Sequence, residues 1–290
     1  MKAGTVQNNS VQKIEIVKVK DRLSFACTDE VSVEEPLEIR ISYEAESRKV
    51  SRNISVTMRT PGNDPELAVG FLFTEGIISA PEQVKTVCHP QAACSRTGEN
   101  TVMVELAGGH MPELMNADRN FYTTSSCGVC GKGSIESIRT VSMFRDLEKE
   151  PHSIAAETLC HLPEKLRTFQ SNFSATGGIH ASGIFDLNGN LLALREDVGR
   201  HNALDKLIGN AFMAGQLPLS SHILLLSGRA SFELIQKAAM AGISIVAAIG
   251  APSSLAVDLA KESDMTLLGF LRDNRFNIYA KSRRLEIKTG

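Results

Sequence analysis

Apolar and polar residues alternate through Leu37-Glu38-Ile39-Arg40-Ile41, and a looser alternation runs from Ile14 to Val56. A period of two predicts strands with one face turned to a core. At Asp64-Pro65-Glu66 the pattern changes to a helix, with Asp64 expected as N-cap and Pro65 as the first helical residue. Leu67, Val69, Phe71, Leu72 and Phe73 make that helix apolar nearly all round, so it should be buried, and Gly76 is its expected stop. Thr101 to Leu106 reads as another strand. Residues 1–115 are thus expected to form a small α+β domain, with residues 1–12 disordered.

The remainder, residues 116–290, has a different rhythm. Ser125 to Gly133 is rich in Ser, Cys and Gly and predicts a loop entering a helix over Ser134–Arg145, with a second helix over Ala155–Gln170. Gly183 to Leu187 and Asn190 to Leu194 flank Asn188-Gly189, the favoured sequence for a two-residue hairpin turn. Three apolar runs follow: Ile223-Leu224-Leu225-Leu226, Ile243 to Ile249, and Thr266 to Leu271. Helical patterns at Ser231–Ala241 and Ser254–Ser263 separate them. That alternation predicts parallel strands buried on both faces and joined by right-handed crossovers, with Phe276–Ala280 closing the sheet.

Composition narrows the partners. Lys and Arg number 31 against 33 Asp and Glu, so nothing global draws the chain to nucleic acid or to a membrane surface. No apolar run reaches 18 residues, and Met1 to Lys20 lacks the apolar core of a secretory signal. A cytoplasmic setting is expected. Six cysteines in a chain of this length and setting do not predict a disulfide framework.

The close pair Cys127 and Cys130 therefore asks for its own account. In Cys127-Gly128-Val129-Cys130-Gly131-Lys132-Gly133 two thiols meet at a helix start, beside a lysine. Both features favour thiolate over thiol. The glycines let a bulky partner approach. Zinc would need two further ligands at suitable spacing, and no second Cys-x-x-Cys exists, so no structural metal is expected. A dithiol redox role and plain buried thiols are the other readings. The zinc-deaminase signature fails: Ser126 stands where it needs proline, and none of the seven histidines has Glu two residues on.

Three further segments carry polar chemistry. Thr176-Gly177-Gly178-Ile179-His180 sets His180 at a turn before the hairpin. Arg195 to Lys206 is a dense charged run between a strand and a helix, expected to be either a solvated face or a polar-ligand site. Ser227-Gly228-Arg229, Gly250 to Ser254 and Phe270 to Arg275 follow the three parallel strands, where ligands of open α/β sheets bind. Ser253 or Ser254 can cap a helix there, and Arg229, Arg272 and Arg275 suit phosphate. No Gly-x-Gly-x-x-Gly or Walker loop is present.

Taken in order, these segments and Glu66 to Ile78 resemble the formate dehydrogenase accessory sulfurtransferase family (FdhD). The resemblance implies a cytidine-deaminase-like three-layer α/β domain, without zinc chemistry, beside the smaller α+β domain. It implies that a cysteine desulfurase loads sulfur as a persulfide on Cys127, with Cys130 the second cysteine. The sulfur goes to Mo-bis(molybdopterin guanine dinucleotide), a bound substrate, before its insertion into formate dehydrogenase. Phe270, Leu271, Arg272, Asp273, Asn274 and Arg275 correspond to the family's cofactor-binding stretch. Arg229, Ser253 and His180 are the residues expected around it, and a homodimer is a further expectation. A chaperone that binds the cofactor without moving sulfur is the alternative.

Overall fold

The computed structural model describes residues 10–90, 100–112, 142–144, 151–283 and 285–288. The Cys127–Cys130 motif and nearly all of the helix expected over Ser134–Arg145 lie outside the described residues.

Strands β1 (Val11–Lys20) and β2 (Leu23–Ser32) form a two-stranded antiparallel hairpin, turned by Asp21 and Arg22, both at positive φ. Val11 and Gln12, expected within a disordered leader, are paired in it with Ser32 and Val31. A four-stranded sheet follows, in the order β4-β3-β6-β5, from β3 (Glu35–Ala45), β4 (Arg48–Arg59), β5 (Val84–Cys88) and β6 (Thr101–Leu106). The period-two reading of β3 holds. Leu37, Ile39 and Ile41 are fully buried, while Arg40 faces out and Glu38 is half-buried.

Helix α1 (Asp64–Thr74) is buried along most of its surface, as expected, and Gly76 ends it at φ +75°. Its start differs. The N-cap is Asn63, in the left-handed region, and Asp64 is the first helical residue. The Asp64 carboxylate is taken by the buried Arg59 guanidinium, which donates from Nε at 3.0 Å and Nη2 at 2.9 Å. A bidentate charged pair outweighs one capping bond.

The larger sheet has six strands in the order β13-β12-β11-β10-β8-β9. Its members are β8 (His180–Phe185), β9 (Leu191–Asp197), β10 (Ile223–Leu226), β11 (Ile245–Ala248), β12 (Thr266–Arg272) and β13 (Arg275–Ala280). The three apolar runs are the parallel strands β10, β11 and β12, and β13 closes that edge antiparallel. Alternate side chains part to opposite faces. Leu224, Leu226, Val246, Ala248 and Leu267 join one buried cluster, while Ile223, Leu225, Ile245, Ala247 and Leu268 join another. The first is covered by α4 (Arg200–Met213), α5 (Phe232–Met240) and α6 (Ser254–Glu262), the second by α2 (Ala156–Phe169). Strands β7 (His152–Ala155) and β14 (Leu285–Lys288) pair in parallel apart from this sheet, and the short helix α3 (Ser171–Thr176) leads into β8.

The β8–β9 connection is longer than the expected two-residue turn. It spans residues 186–190, because the Asp186 carboxylate accepts from the backbone of Asn188 at 2.9 Å and of Asn190 at 2.8 Å. Only Gly189 takes positive φ. A carboxylate at the loop start organises a wider turn than Asn-Gly alone would choose.

The first buried cluster does not stop at either sheet: β3, β6 and α1 share it with α4, α5 and β10. Helices α1 and α4 cross where Gly70 faces Gly209. A Cβ on Gly70 would run into the Asp205 carbonyl, and one on Gly209 into that of Glu66. Here glycine is required by close approach. Gly209→Ala should lower unfolding stability by about 3 kcal/mol, the upper end of overpacking costs, since backbone must move. Urea denaturation checks this; an unchanged midpoint would mean the helices separate freely.

Candidate functional site at the strand ends

Toward their carboxyl ends, the three parallel strands stay in contact through backbone. Gly250 N–H donates to the Gly228 carbonyl at 2.9 Å, and Phe270 N–H to the Gly250 carbonyl at 3.1 Å. Ser253 N–H reaches the Ala230 carbonyl at 3.0 Å. Because β8 runs antiparallel to β10, its first residue arrives at this same end. The His180 ring lies against Gly228, where a Cβ would touch it at 3.4 Å. Ser227 fixes the arrangement: its Oγ accepts from Ala181 N–H at 2.8 Å.

His180, Arg229, Ser253 and Phe270, named from sequence alone, are therefore brought together. Ser253 caps α6, accepting from Ala256 N–H at 3.3 Å. Phe270 is partly exposed at φ +55°, in an irregular stretch of β12 between Gly269 and Arg272. An aromatic residue held at positive φ is an outlier that the surroundings must enforce. Asp273 and Asn274, also at positive φ, turn the chain from Arg272 to its partner Arg275 at the hairpin tip. Leu271 is different: its side chain is fully buried in the second apolar cluster, so only its backbone faces outward chemistry.

Strand β9 and helix α4 add groups to this end. His180 pairs in register with Asp197, and Arg200 and His201 open α4. Burial pushes the His180 imidazole below its usual pKa, with Arg200 and His201 adding to the effect and Asp197 opposing it. His201 Nε2 lies 3.4 Å from Ser231 Oγ and 3.9 Å from the Glu233 carboxylate at the start of α5. Burial drives the Glu233 carboxyl upward, but hydrogen bonds from His201, its own backbone N–H and Ser231 outweigh it and hold the group down to about 2.

Arg195 to Lys206 is not a solvated face. Asp197, Asp205 and Lys206 are almost completely buried. Lys206 Nζ sits 2.7 Å from Asp197 and donates to the Thr60 carbonyl at 2.8 Å, while Thr60 N–H donates to Asp197 at 3.1 Å. Asn202 Nδ2 donates to the Met58 carbonyl at 2.7 Å. One turn on, Asp205 pairs with Lys237 of α5 at 3.0 Å and accepts from Thr74 Oγ1 of α1 at 2.8 Å. These bonds clamp the end of β4 and helix α1 to α4, whose first turn carries part of the site. A signal was present. Polar residues and Leu204, Leu207 and Ile208 share every face of α4, leaving no face for water.

Cys27, Cys88 and Cys160 are free thiols. Burial, with Glu157 adding, pushes the Cys160 thiol up, away from thiolate chemistry. Cys127 and Cys130 lie outside the described residues, so their distance from the strand ends is not part of this geometry.

Comparison with known proteins gives a consistent picture. The model of the FdhD/NarQ family matches residues 32–286. A sulfur carrier protein FdhD of Mycolicibacterium paratuberculosis is 50% identical over 265 residues, 90% of this chain and 94% of that one. A protein of the same name from Streptomyces avermitilis is 44% identical over 282 residues, covering 96% and 97%. The fold is similar to the crystal structure of a formate dehydrogenase accessory protein from Desulfotalea psychrophila, with a TM-score of 0.68, 22% identity, and 95% and 99% of the two chains covered.

Proposed function

The chain belongs to the FdhD/NarQ family, and on that premise we propose that it is a cytoplasmic sulfur carrier for formate dehydrogenase, a sulfurtransferase working through Cys127. A cysteine desulfurase supplies the sulfur, and Mo-bis(molybdopterin guanine dinucleotide) receives it before insertion into the dehydrogenase. The observation that carries the binding half is the convergence of Gly228, Gly250, the Ser253 helix cap and the Phe270 outlier at one sheet end. Backbone N–H groups at a capped helix start suit a pyrophosphate. Arg229, Arg272 and Arg275 supply charge, and His180, whose pKa burial lowers, can donate an N–H. Phe270 offers an aromatic face to the guanine. Among the described residues no helix is long and apolar enough to cross a membrane.

Sulfur loading follows from thiol chemistry. The Cys127 thiolate attacks the terminal sulfur of the desulfurase persulfide; the donor cysteine leaves as thiolate, and Cys127 keeps the sulfur as a persulfide. Delivery can then follow either of two balanced routes. In one, Cys130 attacks the inner sulfur, sulfide leaves for the metal, and a Cys127–Cys130 disulfide remains for an external dithiol to reduce. In the other, the terminal sulfur passes directly to the cofactor, Cys127 leaves as thiolate, and the cofactor, as substrate, supplies the two electrons that take the sulfur to the sulfide level.

The test is mass spectrometry of the intact chain after incubation with a cysteine desulfurase and cysteine. We expect one added sulfur, on Cys127. No added sulfur, with nucleotide binding intact, would leave a cofactor-binding chaperone as the reading. The binding half has its own prediction. Arg272→Ala should weaken the binding of a guanine nucleoside diphosphate by about 1.5–3 kcal/mol, the range for a hydrogen bond to a charged group, without changing sulfur loading. Isothermal titration beside the persulfide assay reads both, and unchanged affinity would remove Arg272 from the phosphate site.

A further inference from the structure

Glu233 is a charged side chain at the strand ends that pyrophosphate binding leaves unexplained. It stands in the first turn of α5, with its side chain 22% exposed. An anion beside a phosphate site costs affinity unless it meets donors of its own. Among the described residues at this end, the other carboxylates are accounted for. Asp197 is fully buried against Lys206. Glu196 accepts from the backbone of Asn172 at 3.0 Å and of Phe173 at 2.9 Å. Asp273 belongs to the exposed hairpin tip. Glu233 is held from one side only. His201 Nε2, on a side chain 11% exposed, lies 3.9 Å from its carboxylate and 3.4 Å from Ser231 Oγ.

A fixed, ionised carboxylate that stays partly open suits two parallel donors. A 2-amino-4-oxopyrimidine ring presents such a pair, a ring N–H beside an amino group, and guanine and pterin both contain it. Position separates the two. Across the sheet end the order runs β12, β11, β10, β8, about 14 Å over three strand spacings. Phe270 belongs to β12, Gly250 follows β11 and Gly228 follows β10. Glu233 lies past Gly228, turned toward His201 at the start of α4, the helix that packs over β8 and β9. A pterin guanine dinucleotide carries its two ring systems at opposite ends of one pyrophosphate. With the guanine on Phe270 and the pyrophosphate over Gly250 and Gly228, the pterin falls on the Glu233 side.

We propose that Glu233 reads the pterin end of the cofactor, its carboxylate accepting from the ring N–H and the amino group, with His201 as a positioning residue. The inference rests on the cofactor-binding reading above and adds the contact that selects the pterin. Fluorescence titration of the full chain with 6-hydroxymethylpterin and with 6-hydroxymethyllumazine, which has oxygen in place of the amino group, tests it. The wild type should prefer the pterin by about tenfold or more, as loss of a hydrogen bond to a charged group implies. Glu233→Gln should lose that preference, because an amide turns its own N–H2 toward one of the donors. The same variant should bind guanosine diphosphate no more weakly than wild type, since a negative charge has been removed. His201→Leu should shrink the preference without removing it, and a preference of wild-type size there would overturn the positioning role. Circular dichroism controls for folding. A wild type that binds neither pteridine, or both alike, or a preference that survives Glu233→Gln, would overturn the inference. So would a loss in Glu233→Gln confined to guanosine diphosphate, which would assign the carboxylate to the guanine. A wild type that does not bind guanosine diphosphate would instead overturn the cofactor-binding reading beneath it.

Discussion

Cys127→Ala abolishes activation of formate dehydrogenase in a strain lacking the native gene, while the purified variant keeps its wild-type unfolding midpoint and its affinity for a guanine nucleoside diphosphate. The loss should be complete because the cysteine sulfur is the covalent carrier: without it no bond holds the transferred atom between donor and recipient. Neighbouring groups can accelerate attack by a thiolate but cannot stand in for one. Stability should be indifferent, since Cys127 sits among glycines and polar residues, where little apolar packing is at stake. The companion variant Cys130→Ala separates the delivery routes. Loss of activation with sulfur still on Cys127 selects expulsion by the second thiol; retained activation selects direct transfer. Dehydrogenase activity restored by Cys127→Ala would end the assignment.

The largest effect on stability is expected at Lys206. Lys206→Met removes the ammonium beside Asp197 and leaves a fully buried carboxylate with only the weaker dipoles of Thr60, Gly199 and Asn202. Breaking a buried pair from one side costs about 3–5 kcal/mol, a large share of a domain's stability. The pH dependence identifies the cause. Burial pushes the Asp197 carboxyl up, and Lys206 is the main group opposing it. Without Lys206 the folded pKa rises further above the unfolded one, so the folded state binds the proton more tightly. The variant's stability then increases as pH falls from neutrality toward the unfolded carboxylate value near 4. Denaturant midpoints at several pH values check this: the deficit relative to wild type should shrink on acidification. A deficit constant with pH would point to lost packing instead.

Lys206 also marks where sequence reading stops. The parallel strands, their helices and the buried α1 were legible because each has one dominant period, and burial on both faces follows from runs such as Ile223 to Leu226. His180, Arg229 and Ser253 could be grouped because chain topology carries strand ends to one side of a sheet. What failed was anything decided by one specific side-chain partner rather than by a period. Asp64 looked like a cap until Arg59 claimed its carboxylate, and Asp186 widened a turn that Asn188-Gly189 would have kept tight. Lys206 looked solvated because its counter-ion is nine residues away in sequence and its carbonyl partner, Thr60, lies 146 away. Local pattern cannot report such pairings. Cys127 is the opposite case: composition and spacing point to the Cys127–Cys130 pair and the family resemblance to its first member, with no geometry to help.

The crossing of α1 and α4 has a consequence for how chains of this kind can change. Gly70 and Gly209 are 139 positions apart in sequence, yet each is required because the other helix's backbone comes within Cβ distance at that point. Neither half can be exchanged with a related chain on its own merits. A donor segment carrying alanine at either position would arrive well formed and still fail to seat. Recombination inside this gene, or the trimming and grafting of its parts in the laboratory, must therefore move the two glycines as a matched set, and drift at one is held in check by the other.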